Sequence, residues 1–136
     1  MESQRSSQSD IALANKRKIV VVDDEYFISR SLLFIFEKEG YSCSAASDGD
    51  AALELIKQEK PDLVFLDISM PKMDGYQVCR EIRRDPELKH TYVIILTAMG
   101  QDVDQKASIE AGADEYMLKP FNPRLVRERV AEILAT

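Results

Sequence analysis

The chain has 136 residues, 45% of them hydrophobic and 31% charged, a composition typical of one globular domain. The excess of 24 acidic over 18 basic residues gives a formal charge of −6, which disfavours direct binding to nucleic acid. No apolar run approaches the roughly 18 residues that a membrane span needs. Cys43 and Cys79 are far apart and form no paired motif, as is usual in a reducing compartment. We therefore expect a cytoplasmic domain without membrane insertion.

The first 17 residues differ in composition from the rest of the chain. They are rich in Ser, Gln and charged residues, with a single apolar patch at 11–14. Such a segment has little apolar surface to bury, and terminal segments of this kind are commonly poorly ordered. The sequence therefore predicts a flexible N-terminal lead-in over residues 1–17 and a folded domain over residues 18–136.

Five strands and five helices alternate along the folded part. Runs such as 19–22 are continuously β-branched, which is typical of strands buried on both faces, and Gly40 and Pro61 end helices. The predicted strands cover residues 19–22, 41–46, 63–66, 93–96 and 115–118. The predicted helices cover residues 25–38, 48–60, 74–84, 102–111 and 123–134. This alternation predicts an α/β fold, a doubly wound parallel sheet with helices on both faces.

Candidate functional side chains follow four of the five predicted strands. Asp23 and Asp24 follow the first strand and Asp67 the third, while Thr97 follows the fourth and Lys119 the fifth. Each alone has an ordinary alternative role as a helix cap, a turn former or a solvated lysine. Ligands of open parallel sheets bind beyond the carboxyl ends of the strands, however. The convergence of all five residues on that edge therefore indicates a site.

The chemistry of these side chains suits a divalent cation and a phosphoryl group. Three neighbouring carboxylates disfavour one another's ionised forms unless a cation lies between them. Oxygen ligands without Cys or His select a hard ion, Mg²⁺ or alternatively Mn²⁺. A lysine and a hydroxyl can bind the remaining phosphoryl oxygens. Asp67 is then the natural acceptor, because a carboxylate can form an acyl phosphate.

Five ordered motifs carry a resemblance to a known family. The motifs are Val-Val-Asp-Asp-Glu at 21–25, Leu-Asp-Ile-Ser-Met-Pro-Lys-Met-Asp-Gly-Tyr at 66–76, Leu-Thr-Ala at 96–98, Ala-Gly-Ala-Asp-Glu-Tyr at 111–116 and Lys-Pro-Phe at 119–121. With them, residues 18–134 resemble the receiver (phosphoacceptor) domain of bacterial two-component response regulators. The resemblance implies a flavodoxin-like sheet in the strand order 2-1-3-4-5. It fits a stand-alone receiver of the chemotaxis type or the receiver part of a longer regulator.

The resemblance also implies a phosphorylation site and a metal site. Asp67 would accept the phosphoryl group from a sensor histidine kinase or a histidine phosphotransfer protein. Asp23 and Asp24 would hold Mg²⁺, with Asp67 and the backbone carbonyl of Ser69 as further ligands. Beyond its own phosphorylation and dephosphorylation, the domain would catalyse no reaction.

The same resemblance implies roles for further residues. Lys119 would contact the phosphoryl group, Thr97 would turn to hydrogen-bond it, and the small Ala98 would leave it accessible. Tyr116 would be the aromatic switch that moves with Thr97. The Lys119–Pro120 peptide would be cis. The output would be a changed surface of the fourth helix, fifth strand and fifth helix, which binds a downstream effector protein or domain.

Two other functions of parallel α/β domains fit the sequence less well. A phosphohydrolase of the haloacid dehalogenase kind needs a second acid two residues after its nucleophile, where this chain has Ser69. A flavodoxin-type electron carrier needs a phosphate loop after the first strand, where the acidic run 23–25 would repel the phosphate. On the first helix, Leu33 and Phe34 lie off the apolar stripe and are predicted to form a docking patch for the kinase.

Overall fold

A computed structural model of the chain describes residues 16–98 and 102–135, with only the backbone for residues 102–104. Of the predicted lead-in, residues 1–15 lie outside the described part. Arg17 joins the edge of the sheet, because its carbonyl accepts a hydrogen bond from the Ser42 N–H (2.9 Å) and its guanidinium pairs with Asp62 (3.4 Å).

The five strands form one parallel sheet in the order β2-β1-β3-β4-β5. The strands are β1 (Lys18–Val22), β2 (Ser42–Ala46), β3 (Leu63–Asp67), β4 (Tyr92–Ala98) and β5 (Glu115–Lys119). The helices are α1 (Tyr26–Lys38), α2 (Gly49–Glu59), α3 (Gly75–Arg84), α4 (Asp102–Ala111) and α5 (Pro123–Ile133), with a 3₁₀ turn at Pro86–Leu88. The predicted doubly wound fold and strand order are confirmed. β4 runs past the predicted residues 93–96 and so includes Thr97.

The helices cover both faces of the sheet and bury two apolar clusters. On one face, α1 and α5 pack Leu32, Phe36, Val126 and Val130 against the strands. On the other face, α2, α3 and α4 contribute side chains such as Ile56, and the clusters meet alternate strand residues. The central strands β1 and β3 are thereby buried on both sides, which explains their continuous apolar sequences.

Two local features fix the loops at the carboxyl edge of the sheet. The Asp74 side chain and Gln77 form a capping box that starts α3. Gly75 follows at a point where a Cβ atom would overlap the backbone carbonyl of Asp67, and its N–H donates to the Ile68 carbonyl (3.3 Å). A side chain at residue 75 would displace the loop that follows β3, so glycine is required there for close approach of the backbones.

Within the described ranges, no helix combines the length and apolar character needed to cross a bilayer. The cytoplasmic location stays a prediction.

Candidate functional site

A crevice of about 340 Å³ opens at the carboxyl edge of the sheet. It lies where the sequence predicts the site, beyond the ends of β1, β3, β4 and β5. Its lining consists of Asp24, Glu25, Asp67, Ile68, Ser69, Thr97, Ala98 and Lys119. The crevice therefore brings together most of the predicted site residues, and Asp23 joins them through its contact with Lys119.

The Lys119 ammonium lies among three carboxylates. Its Nζ is 2.8 Å from Asp23 Oδ2, 3.3 Å from Glu25 Oε1 and 3.4 Å from Asp67 Oδ1. Burial lowers the pKa of Lys119, but the charges of Asp23 and Asp67 and a hydrogen bond to Glu25 more than offset this, so its pKa is raised. Lys119 is thus held as a cation, whose charge offsets part of the repulsion between the carboxylates.

The carboxylates fit a divalent cation. Oxygen atoms of Asp23, Glu25 and Asp67 all lie within 4.8 Å of one another. Asp23 Oδ2 is buried, and its contact with Lys119 has the distance of an ion pair but not the geometry of a hydrogen bond. A buried carboxylate oxygen that accepts no hydrogen bond lowers the stability of the fold. This atom and the all-oxygen donor set suit a hard cation such as Mg²⁺.

The residues of the acidic run 23–25 differ in burial and in their place at the crevice. Asp23 is buried, with its Oδ1 accepting from the Glu25 N–H (2.9 Å), whereas Asp24 is exposed and lines the crevice outside the cluster of three. Glu25, to which the sequence analysis assigned no role, takes the third place. Glu25 directly precedes α1, and its side chain reaches Lys119 (3.3 Å), a long-range contact that the local sequence does not signal.

Asp67 is buried at the end of β3, with 4% of its surface exposed. Its Oδ1 accepts a hydrogen bond from the Ser69 N–H (3.4 Å). Burial first, and then the negative charge of Asp23, raise the pKa of Asp67 to about 6. Asp67 remains largely ionised at neutral pH. Its ionised form is nevertheless less stable in this buried site than it would be in water.

We expect this shift to make folding stability depend on pH. Because the folded protein binds the Asp67 proton more tightly than the unfolded chain does, the contribution of Asp67 to the free energy of unfolding falls as pH rises from about 4 to about 6. Asp67→Asn should raise the free energy of unfolding at pH 7 by about 1–3 kcal/mol and change it little at pH 4. Urea unfolding in chelator-containing buffer measures both values. If Asp67→Asn raised the free energy of unfolding equally at pH 4 and pH 7, the raised pKa of Asp67 could not be the cause.

The predicted switch residues share one face of the sheet. Thr97 is buried near the end of β4, and Tyr116 on β5 lies beside Ile95, two residues before Thr97. Since alternate residues of a strand point to the same face, Thr97 and Tyr116 lie on the side that packs against α3 and α4. Ala98 is exposed at the crevice, and the Lys119–Pro120 peptide is cis.

Comparisons with known proteins all identify the same family. The family model for the response regulator receiver domain matches residues 19–131. The chain is 46% identical over 125 residues to a probable transcriptional regulator, ycf27, of Guillardia theta, matching 92% of this chain and 48% of that protein. It is 44% identical over 118 residues to the alkaline phosphatase synthesis transcriptional regulatory protein PhoP of Bacillus subtilis, matching 87% of this chain and 48% of that protein.

Solved structures give the same result. A putative response regulator from Chloroflexus aurantiacus superposes with a TM-score of 0.83 at 34% sequence identity, over 90% of this chain and all of that one. The chain spans about half the length of the curated relatives it matches. The family is one of signalling domains and not of classical enzymes, and its members act in two-component systems with kinases and effectors. On these matches, the chain belongs to the response regulator receiver domain family.

Proposed function

We propose that Asp67 accepts a phosphoryl group from the phosphohistidine of a sensor histidine kinase or a histidine phosphotransfer protein. The observation that carries this proposal is the buried Asp67 carboxylate in the crevice, with the Lys119 ammonium 3.4 Å away. A carboxylate oxygen of Asp67 attacks phosphorus, the P–N bond breaks with its electron pair on nitrogen, and the histidine leaves as a neutral imidazole that keeps the proton already on its other ring nitrogen. The product is an acyl phosphate on Asp67.

Mg²⁺, or alternatively Mn²⁺, is the cofactor that we assign to the carboxylates. Asp23, Asp24, Asp67 and the backbone carbonyl of Ser69 would hold the ion, with Glu25 beside them. When bound, the ion supplies positive charge that stabilises the negative phosphoryl oxygens. The domain would thereby promote only its own phosphorylation and dephosphorylation.

Lys119 and Thr97 would bind the oxygens of the transferred group. Lys119 already lies 3.4 Å from Asp67 Oδ1, so its ammonium is placed to pair with a phosphoryl group attached there. Thr97 lines the same crevice, and its hydroxyl would turn to donate a hydrogen bond. Ala98 carries no side-chain atoms beyond Cβ, which leaves room for the phosphodonor at this rim.

The position of Lys119 predicts that it competes with the metal ion. Its ammonium lies between the carboxylates that would hold the cation, so Lys119→Met should increase Mg²⁺ affinity by about tenfold, from the removal of repulsion worth ~1–2 kcal/mol. Isothermal titration of metal-free protein measures this change. Lys57→Met, which removes an exposed charge on α2, is the control and should change the affinity by less than about twofold. Unchanged or weaker binding in Lys119→Met would contradict the competition.

The output surface that we propose comprises α4, β5 and α5. Each of these elements exposes a large apolar side chain: Ile109 on α4, Leu118 on β5 and Leu125 on α5. Large exposed apolar side chains such as these can contribute to a protein-binding site. Movement of Thr97 toward the phosphoryl group would leave space that Tyr116, on the same face of the sheet, could enter. The downstream effector protein or domain would bind this changed surface.

We expect beryllofluoride, which mimics a phosphoryl group, to shift amide resonances of residues 105–116 more than those of α2. The reason is that residues 105–116 follow the strand that carries Thr97 and include Tyr116, whereas α2 packs against β1 and β2, on the side of the sheet away from β5. Heteronuclear NMR spectra with and without the mimic measure the shifts. Equal or larger shifts in α2 would contradict the proposed output surface without affecting the assignment of Asp67.

The kinase would dock on α1, beside the crevice. Phe34 is 66% exposed and Phe27 lies two helical turns earlier, also exposed, whereas Leu33 is half-buried against the core. The exposed aromatic side chains, and not Leu33, therefore form the docking patch that we propose.

The lengths of the relatives favour one domain organisation for the protein. Because the matched proteins are transcriptional regulators about twice the length of this chain, we propose that it is the receiver part of a longer regulator, with a stand-alone receiver as the alternative.

Phosphoramidate tests the proposed function, because its P–N bond resembles that of phosphohistidine. Incubation with Mg²⁺ should add one phosphoryl group, detected by intact mass, and a chelator should prevent the addition. If no phosphoryl group is added with Mg²⁺, the proposed function is wrong.

A further inference from the structure

A second polar cluster lies away from the crevice, where the end of α3 meets the turn between α4 and β5. Arg83 of α3 donates three hydrogen bonds, from Nε to the Gly112 carbonyl (2.7 Å), from Nη1 to the Thr91 carbonyl (2.8 Å) and from Nη2 to Asp114 Oδ2 (2.6 Å). The guanidinium thus connects three segments: the end of α3, the residue before β4 and the turn before β5. Its planar fork suits this arrangement of acceptors, which a lysine could not bind together.

Asp114 extends the cluster into the sheet. Its Oδ2 also accepts from the Val93 N–H (2.8 Å), and its own N–H donates to the Val93 carbonyl (2.9 Å). The start of β5 is therefore fastened to β4 and to α3 at once. Hydrogen bonds between charged partners are stronger than neutral ones, and breaking them would leave the Asp114 carboxylate without its charged partner.

Gly112 gives Arg83 the space to reach the turn. The backbone of Gly112 has a φ of +94°, and its N–H donates to the Ile109 carbonyl at the end of α4 (3.0 Å). A Cβ atom on residue 112 would lie 2.8 Å from Arg83 Cγ. Both the backbone conformation and the packing of the arginine stem therefore require glycine, and they tie the end of α4 to Arg83.

The described part of α4 is fastened at its end. β4 ends at Ala98 on the crevice, and the chain leaves α4 at the Arg83 cluster. Among the described α4 side chains, Ser108 and Ala111 toward its end are buried, whereas Gln105 and Lys106 are exposed. The end of α4 is thus held both by burial and by the hydrogen bonds of the Arg83 cluster.

We propose that Arg83 is a positioning residue for the response to phosphorylation. It keeps the end of α4 and the start of β5 fixed to α3 and β4, so that α4 pivots about Gly112 when Asp67 is phosphorylated. This inference rests on the proposed function of Asp67. Because Asp114 stays in place, Tyr116, two residues further on, turns on an unmoved strand, and the change of the output surface is concentrated in α4.

Amide hydrogen exchange with and without beryllofluoride and Mg²⁺ tests the pivot. The proteins compared are the wild type, Arg83→Lys and, as a matched control, Arg84→Lys, whose arginine is exposed and pairs with Glu81 on the same helix. The ¹⁹F signal of bound beryllofluoride reports separately whether the Asp67 site is occupied.

In the wild type, we expect the mimic to change exchange at residues 105–108 by at least about tenfold and at residues 112–114 by less than about twofold. In Arg83→Lys, the change should extend through residues 112–114, and Arg84→Lys should match the wild type. A purely structural role for Arg83 would speed exchange without altering which residues respond. If Arg83→Lys does not fold, Asp114→Asn, which keeps the shape of the side chain and removes its charge, replaces it.

Two results would overturn the pivot while the ¹⁹F signal shows that the Asp67 site works. One is a wild-type response at residues 112–114 as large as that at residues 105–108. The other is a response in Arg83→Lys that is confined as in Arg84→Lys. Absence of the bound ¹⁹F signal would overturn the proposed function, and the pivot with it.

Discussion

Asp67→Asn is expected to abolish phosphorylation by small-molecule phosphodonors. An amide has the shape of the carboxylate but cannot attack phosphorus to form an acyl phosphate, so the phosphorylated fraction should fall by at least about 100-fold. Intact mass after incubation with acetyl phosphate and Mg²⁺ measures that fraction. The effect is large because the other carboxylates that pair with Lys119, Asp23 and Glu25, belong in this proposal to the metal-binding cluster and not to the transfer itself.

Ser69→Ala provides the control for that experiment. Ser69 carries the nearest hydroxyl in sequence, and its N–H bonds to Asp67, but its side chain has no part in the proposed transfer. The variant should still accept one phosphoryl group. Stoichiometric phosphorylation of Asp67→Asn, or its loss in Ser69→Ala, would contradict the assignment of the acceptor.

Asp24→Ala is expected to weaken Mg²⁺ binding strongly while the domain remains folded. A carboxylate about 4 Å from a divalent ion in water-like surroundings contributes about 2 kcal/mol, which corresponds to roughly thirtyfold in affinity. Because Asp24 is exposed, its removal leaves no buried group unpaired, so circular dichroism should be unchanged. Isothermal titration is the suitable measurement, since the chain has no tryptophan to report binding by fluorescence.

Glu132→Gln and Glu25→Gln complete the metal experiment. Glu132 is an exposed acid near the end of α5, and its variant should bind Mg²⁺ as the wild type does. Glu25→Gln tests whether the third carboxylate of the structural cluster contributes to binding. An Asp24→Ala variant with wild-type affinity would exclude Asp24 as a ligand and leave Asp23, Glu25 and Asp67 as the donor set.

The fold was predictable because its determinants are local or periodic. Buried strands such as residues 63–66 require continuous apolar runs, and helices between them end at glycine or proline. The carboxyl ends of parallel strands then necessarily meet at one edge, which located Asp23, Asp67, Thr97 and Lys119. The exact end of β4 was not predictable, because its extension to Ala98 depends on pairing with β5 and not on its own composition.

Features that depend on long-range side-chain contacts were not predictable. Glu25 enters the carboxylate cluster because Lys119, 94 residues away in sequence, reaches it from another strand. Arg83 reads as an ordinary basic residue at a helix end, and only the folded chain brings it to Asp114, 31 residues later. Periodicity and capping patterns contain no information about such pairs, since the partners lie on separate elements.

Chemical identification of the modified residue tests the central claim most directly. Borohydride reduces an acyl phosphate on aspartate to homoserine, so a phosphorylated sample that is reduced and digested should yield homoserine at residue 67. We expect this product at Asp67 alone, with none after omission of the phosphodonor. Reduction at a different aspartate, or a phosphoryl group that resists borohydride on a serine or histidine, would contradict it.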